Sequence, residues 1–170
     1  MQLDVKERGF SFMKEGPLDM RMDLSSDLTA KEIINTWSEF ELGKLFQKYG
    51  EERQWRRAAK AIVHARCKKP IETTTELAEI LEKAVGRSRK KLHPATLVFQ
   101  ALRIMVNREL SSIEIAIKSA MNLLTLGGRL GVIAFHRLED RIVKNLFLSA
   151  SRPLKTVSYT HLTLPTNREV

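Results

Sequence analysis

The chain has 170 residues, 43% hydrophobic and 29% charged, a balance that supports one globular domain with a real core and excludes a disordered chain. Its net charge of +9 and isoelectric point near 9.9 point to a polyanionic partner, RNA or DNA before acidic membrane, with plain solubility as the competing explanation. A single cysteine, Cys67, excludes an internal disulfide and a cysteine zinc site and suits a reducing, cytoplasmic setting.

No apolar run reaches membrane-spanning length, no signal-peptide pattern opens the chain, and no internal repeat is present. Residues 1–28 read as loop. In residues 16–23 (GPLDMRMD) apolar and charged side chains alternate after a Gly-Pro turn signal. Methionine and aspartate are poor strand formers, so an ordered loop packing Leu18, Met20 and Met22 inward is expected rather than a strand.

Residues 29–86 predict four short helices, each with a start signal. Thr29 and Glu32 form a capping box ahead of Ile33 and Ile34. Ser38 and Glu41 form another ahead of Leu42, Leu45, Phe46 and Tyr49, and Gly50 stops that helix. The third helix carries Trp55, Ala58, Ala59, Ile62 and Val63 on one face and Arg53, Arg56, Arg57, Lys60 and Arg66 mostly on the other. Thr73 and Glu76 cap a fourth, which ends at Gly86. Residues 87–92 (RSRKKL) form a basic linker, after which His93-Pro94 opens a further helical segment. Ser111 and Glu114 are expected to cap a helix running to Thr125, with Ile113, Ile117, Ala120, Met121 and Leu124 as its core face.

Residues 127–144 predict an α/β unit. Two glycines make a turn, residues 129–135 (RLGVIAF) read as a strand buried on both faces, His136 ends it, and a helix follows through Leu138, Ile142, Val143, Leu146 and Phe147. One strand makes no sheet, so its neighbours are expected outside this chain. Residues 151–170 change character and complete nothing.

Six motifs, RGFSF at 8–12, GPLDMRMD at 16–23, YGEER at 49–53, HPAT at 93–96, FQALRI at 99–104 and LEDRIVK at 138–144, closely resemble the bacterial RsmH family, also called MraW. The resemblance covers roughly residues 2–147. It implies an S-adenosyl-L-methionine-dependent methyltransferase acting on the exocyclic N4 of a cytidine in small-subunit ribosomal RNA, free or in the assembled subunit. The implied fold is α/β, a partial class I Rossmann-like methyltransferase, mostly helical in this chain. On this division, residues 1–28 are a loop of the methyltransferase core, 29–86 an inserted all-helical subdomain that contacts RNA, 87–150 the late part of the core, and 151–170 an unrelated tail. Members also carry a glycine-rich cofactor loop, an acidic ribose-binding residue and a closing segment that these 170 residues lack. An internal fragment with a foreign end at 158–170 is therefore expected, inactive alone and weak or silent toward the methyl donor. Arg137 stands where members usually have serine.

By the resemblance, Gln2 aligns with a glutamine that contacts the methyl donor. The cytosine N4 amine is a weak nucleophile and needs proton acceptors as charge develops. Asp19, Asp23 and His136 are the candidates, with Glu139 and Asp140 behind them. Each has a plainer role: pairing with Arg21 or capping for the aspartates, orienting a loop or contacting RNA for His136, and opening a helix for Glu139 and Asp140. Arg53, Arg56, Arg57, Lys60, Arg87, Arg89, Lys90 and His93 are the expected RNA contacts, against the plainer reading of a solvated basic face. Trp37, Trp55, Phe10 and Phe12 could stack a splayed base, though core burial suits the tryptophans better. No two histidines have metal-ligand spacing, and no metal is expected. A non-catalytic, basic helical RNA-binding module is the alternative function.

Overall fold

The computed structural model describes residues 6–86 and 93–151. They form a turn of 3-10 helix and seven α-helices: α1 (Ala30–Thr36), α2 (Glu39–Tyr49), α3 (Trp55–Arg66), α4 (Thr74–Val85), α5 (Ala95–Asn107), α6 (Glu109–Leu123) and α7 (Arg137–Ser151). None of the described helices is long and apolar enough to cross a membrane.

The helix starts follow the capping chemistry. Ser38 Oγ accepts from the Glu41 N–H while the Glu41 carboxylate accepts from the Ser38 N–H, and Thr73 and Glu76 make the same exchange. Thr29 accepts from the Glu32 N–H, which is half of that exchange. Gly50 and Gly86 cap α2 and α4. The box expected at Ser111 and Glu114 does not form. The helix begins earlier, at Glu109, with only Arg108 (φ +50) between α5 and α6, and the Ser111 hydroxyl donates to the Arg108 carbonyl. An αL residue turns the chain at once, so α6 needs no separate start signal.

Helices α1 to α5 share one core. Ile33, Phe46, Ile62, Leu81 and Leu102, one from each helix, are buried together with Leu18 and Met20 of the loop. Helix α2 is the centre and packs on both α3 and α5. A fully buried side chain of this kind stabilises by about 1.5–3 kcal/mol.

The 16–23 segment is an ordered loop, as its composition predicts. It wedges between the starts of α1 and α4: Leu18 N–H donates to the Glu72 carbonyl, Ala30 N–H to Asp19 and Lys31 N–H to Leu18. The buried Thr74 hydroxyl accepts from Gly16 N–H and donates to the Lys14 carbonyl. Met22 departs from expectation: it points outward, 37% exposed.

Helices α6 and α7 pack mainly on each other. Ile117, Leu138 and Val143 are buried there but do not join the main core. Ile113, Ala120 and Met121 are half-buried and Leu124 is exposed, so the expected core face of α6 is only partly covered.

The strand expected at residues 129–135 is absent. The segment is irregular, with Ile133 and Phe135 83% and 89% exposed. A strand needs a neighbour to satisfy its backbone N–H and C=O groups. Among the described residues none is offered, and the only pairing outside helices is an isolated antiparallel bridge between Pro17 and Thr73. The described residues are therefore all-helical rather than α/β.

Candidate functional site

Two sequence motifs form one unit at the loop. Gly9 (φ +68) lies against the Pro17 carbonyl, and Met20 N–H donates to the Arg8 carbonyl. The Arg8 guanidinium donates to the Arg21 and Met22 carbonyls. Asp19 forms a two-pronged ion pair with Arg21, through Nε at 2.7 Å and Nη2 at 2.9 Å, and also accepts the Arg21 N–H. Arg21 then reaches the Leu24 and Ser26 carbonyls. Asp23 accepts both the N–H and the hydroxyl of Ser25, a tight local turn.

These bonds hold both carboxyls ionised. The Arg21 guanidinium, ahead of its backbone N–H and the Arg8 charge, lowers the Asp19 carboxyl below its ordinary value of 3.8. The Ser25 N–H and then its hydroxyl lower Asp23. A carboxyl with a depressed native value binds fewer protons than in the unfolded chain. Its stabilisation is complete above the ordinary range and is lost as pH falls below 3.8 toward the native value. Asp19→Asn is expected to lower stability near neutral pH by about 1–3 kcal/mol and to flatten the acid limb of the stability profile. Urea midpoints from about pH 2 to 7 measure this; an unchanged acid limb would show that the pair contributes nothing.

The α5–α6 junction connects this loop to the third candidate. Asn107 donates to the carbonyl of Met20, which is at φ +61, and accepts the Met22 N–H at 2.6 Å. Asn107 and Arg108 also line a polar cleft of about 440 Å3 with Asp23, Ser25, Ser26 and Asp27. One residue on, Glu109 is paired twice with Arg103 and lies beside His136 and Glu139.

His136 caps α7. Its Nδ1 accepts the Glu139 N–H, and the Glu139 carboxylate accepts the N–H groups of Phe135 and His136. With Nδ1 an acceptor, neutral His136 carries its proton on Nε2. That nitrogen is buried and lies 3.4 Å from Glu139 Oε1 without a hydrogen bond. Glu109, His136 and Glu139 bring three possible metal donors within 4.8 Å, a grouping that histidine spacing did not suggest. A cation there would have to displace the Nε2 proton and compete with Arg103.

Matches to known proteins decide the family. The description MraW methylase family fits residues 1–165. The chain belongs to the MraW methylase family. A relative from Protochlamydia amoebophila, named ribosomal RNA small subunit methyltransferase H, is 57% identical over 157 residues, 91% of this chain and 50% of the relative. Proteins of the same name from Caldicellulosiruptor bescii and Trichodesmium erythraeum are 54% and 52% identical, over 86% and 89% of this chain and 48% and 53% of their own lengths. The chain thus spans about half the length of the curated relatives it matches.

For a member of the MraW family, the polyanion-facing surface matters most. Arg53, Arg56, Arg57 and Lys60 are all exposed around the first two turns of α3, and His64 and Lys68 continue that face. Arg56 lies over the Trp55 ring at 4.1 Å and Arg57 donates to Gln54; neither meets a carboxylate in an ion pair. Arg66 leaves the expected set. Its guanidinium donates to the Ile34 and Trp37 carbonyls, both at 2.6 Å, and so closes the end of α1. His93 has structural work as well: its Nδ1 accepts the Ala95 N–H at the start of α5, and its ring stacks on Phe12 at 4.6 Å. Phe10, Phe12, Trp37 and Trp55 pack against the core. Gln2, Arg87, Arg89, Lys90 and the tail from 152 lie outside the described residues.

A methyl-donor cradle needs backbone N–H groups free to approach the ligand, which glycines supply. The described glycines do not make one. A Cβ on Gly9, Gly43 or Gly50 would strike protein at under 3 Å, and Gly86 and Gly127 follow helix ends. The described residues do not fit S-adenosylmethionine as a binding site.

Proposed function

We propose that this chain is the RNA-engaging part of an enzyme that transfers a methyl group from S-adenosyl-L-methionine to N4 of a cytidine in small-subunit ribosomal RNA, in the cytoplasm. The substrate is the free RNA or the assembled small subunit. The proposed whole is a class I Rossmann-like methyltransferase interrupted by the helices of residues 29–86. The observation that carries this reading is the exposed, carboxylate-free face of Arg53, Arg56, Arg57 and Lys60 in a chain of the MraW methylase family.

The chemistry asks for alignment of the amine with the sulfonium methyl and for a proton acceptor. Asp19 is held by Arg21, Asp23 by Ser25 and His136 by Glu139, so each would have to give up a partner to act as that acceptor. Asp23 is the most accessible of the three, at the rim of the polar cleft.

The test is product analysis. A gene product carrying this sequence, given labelled methyl donor and small ribosomal subunits, is expected to yield N4-methylcytidine on nucleoside digestion. Label on another atom, or none, sinks the assignment. The second reading, a non-catalytic basic RNA-binding module, is supported by the same α3 face and by the missing donor cradle. Calorimetry on the 170-residue chain separates the parts: weak or no methyl-donor binding is expected, and tight binding would refute it.

A further inference from the structure

On the outer edge of the α2–α3 seam an aromatic ring lies in solvent among cations. Phe40 is 69% exposed, in the first turn of α2, although its neighbours Leu42, Leu45 and Phe46 are buried. The Lys44 ammonium lies 5.5 Å from its ring centre. The seam itself is fixed by Gly43: a Cβ there would meet the Trp55 ring at 2.6 Å and Ala59 Cβ at 3.9 Å. Phe40 and Gln47 stand three and four residues from Gly43, and Arg56 and Val63 stand three and four from Ala59. On helices these positions are nearest neighbours along one face. The ring of Phe40 therefore borders the α3 face that carries Arg56 and Lys60.

We propose that Phe40 is a stacking platform for an unpaired base of single-stranded RNA, with Lys44, Arg56 and Lys60 holding the flanking phosphates. This rests on the reading of α3 as the RNA-contacting face. An exposed ring stabilises nothing in the core, and burying it against a base removes apolar surface from water. Every base has a π-face, so such a platform is tolerant of sequence but intolerant of base pairing. Charge selects the occupant: beside this ring lie Lys44, Arg56 and Lys60, while the nearby Glu41 carboxylate is turned back onto the Ser38 N–H and hydroxyl. Phosphates suit that edge better than an acid-poor apolar protein surface does.

The experiment is fluorescence anisotropy of the 170-residue chain with a labelled single-stranded RNA and with a blunt RNA duplex of equal length. Phe40→Ala is expected to weaken single-strand binding roughly 5- to 100-fold, with an unchanged salt slope and unchanged duplex binding. Phe40→Tyr is expected to restore it. Equal losses on both RNAs, or no loss, overturn the platform. Lys60→Gln with Arg53→Gln is the companion variant. If it leaves affinity and salt slope untouched, the α3 reading itself fails; if it weakens both RNAs while Phe40→Ala does nothing, only the platform fails.

Discussion

Gly9→Ala is expected to destabilise the chain by more than about 3 kcal/mol. Two costs add. The backbone at Gly9 is left-handed, at φ +68, which costs a residue with a Cβ about 1–2 kcal/mol. The new methyl would also sit 1.8 Å from the Pro17 carbonyl oxygen and 3.3 Å from the Asp19 nitrogen. That carbonyl cannot retreat alone, because residues 16–20 are tied to Thr74, Glu72, Ala30 and Lys31. Relief would pull Leu18 and Met20, both fully buried, out of register with the core. Gly127→Ala supplies the comparison. Its φ is +80, yet nothing lies within 4 Å of the added carbon, so the backbone cost of about 1–2 kcal/mol stands alone. Urea unfolding of both variants measures the difference; equal losses would show that the Gly9–Pro17 contact does not constrain the loop.

Neutralising Arg53, Arg56, Arg57 and Lys60 together with glutamine is expected to remove most RNA affinity while leaving the fold intact. Each phosphate contact contributes roughly 0.7 to the slope of log affinity against log salt on a single strand, so four contacts account for about 3. At about 0.2 M salt this amounts to roughly a 100-fold loss, and to more at lower salt. Glutamine keeps helix propensity, and the only bonds lost are the Arg56 stack on Trp55 and the Arg57 bond to Gln54. Stability should change by less than about 1 kcal/mol. Binding isotherms at four salt concentrations give the slope. An unchanged slope would mean that RNA meets another surface, and the α3 face would revert to a solvated helix.

What the sequence disclosed depended on the range over which each signal acts. The caps at Ser38 and Thr73 were legible because capping is settled within four residues. So was the core of α2, since Leu42, Leu45, Phe46 and Tyr49 follow the helical period. The segment 129–135 misled because its apolar run reports burial, not pairing, and pairing depends on chain that may be far away in sequence. Arg66 misled for a related reason. Position on a basic face gave no hint that the ends of α1 needed a donor, and that need lies about 30 residues upstream in the chain. Asn107 and Glu109, which tie the loop to the His136 cap, had no local signal at all. Phe40 did have one: it falls off the spacing of the α2 core residues, and an aromatic out of phase with its helix is a ring in water.

The chain's two tryptophans, Trp37 and Trp55, both pack against the five-helix core. The α6–α7 pair buries Ile117, Leu138 and Val143 apart from that core and meets the rest through the α5–α6 junction and the ion pairs of Arg137 and Arg141 with Glu51. Indole emission is therefore blind to half of the question. A single sigmoidal fluorescence transition would describe the melting of α1 to α5 and say nothing of whether α6 and α7 had already come away. Circular dichroism, which counts helix wherever it lies, would begin to fall first, and the gap between the two curves would report how weakly the pair is fastened.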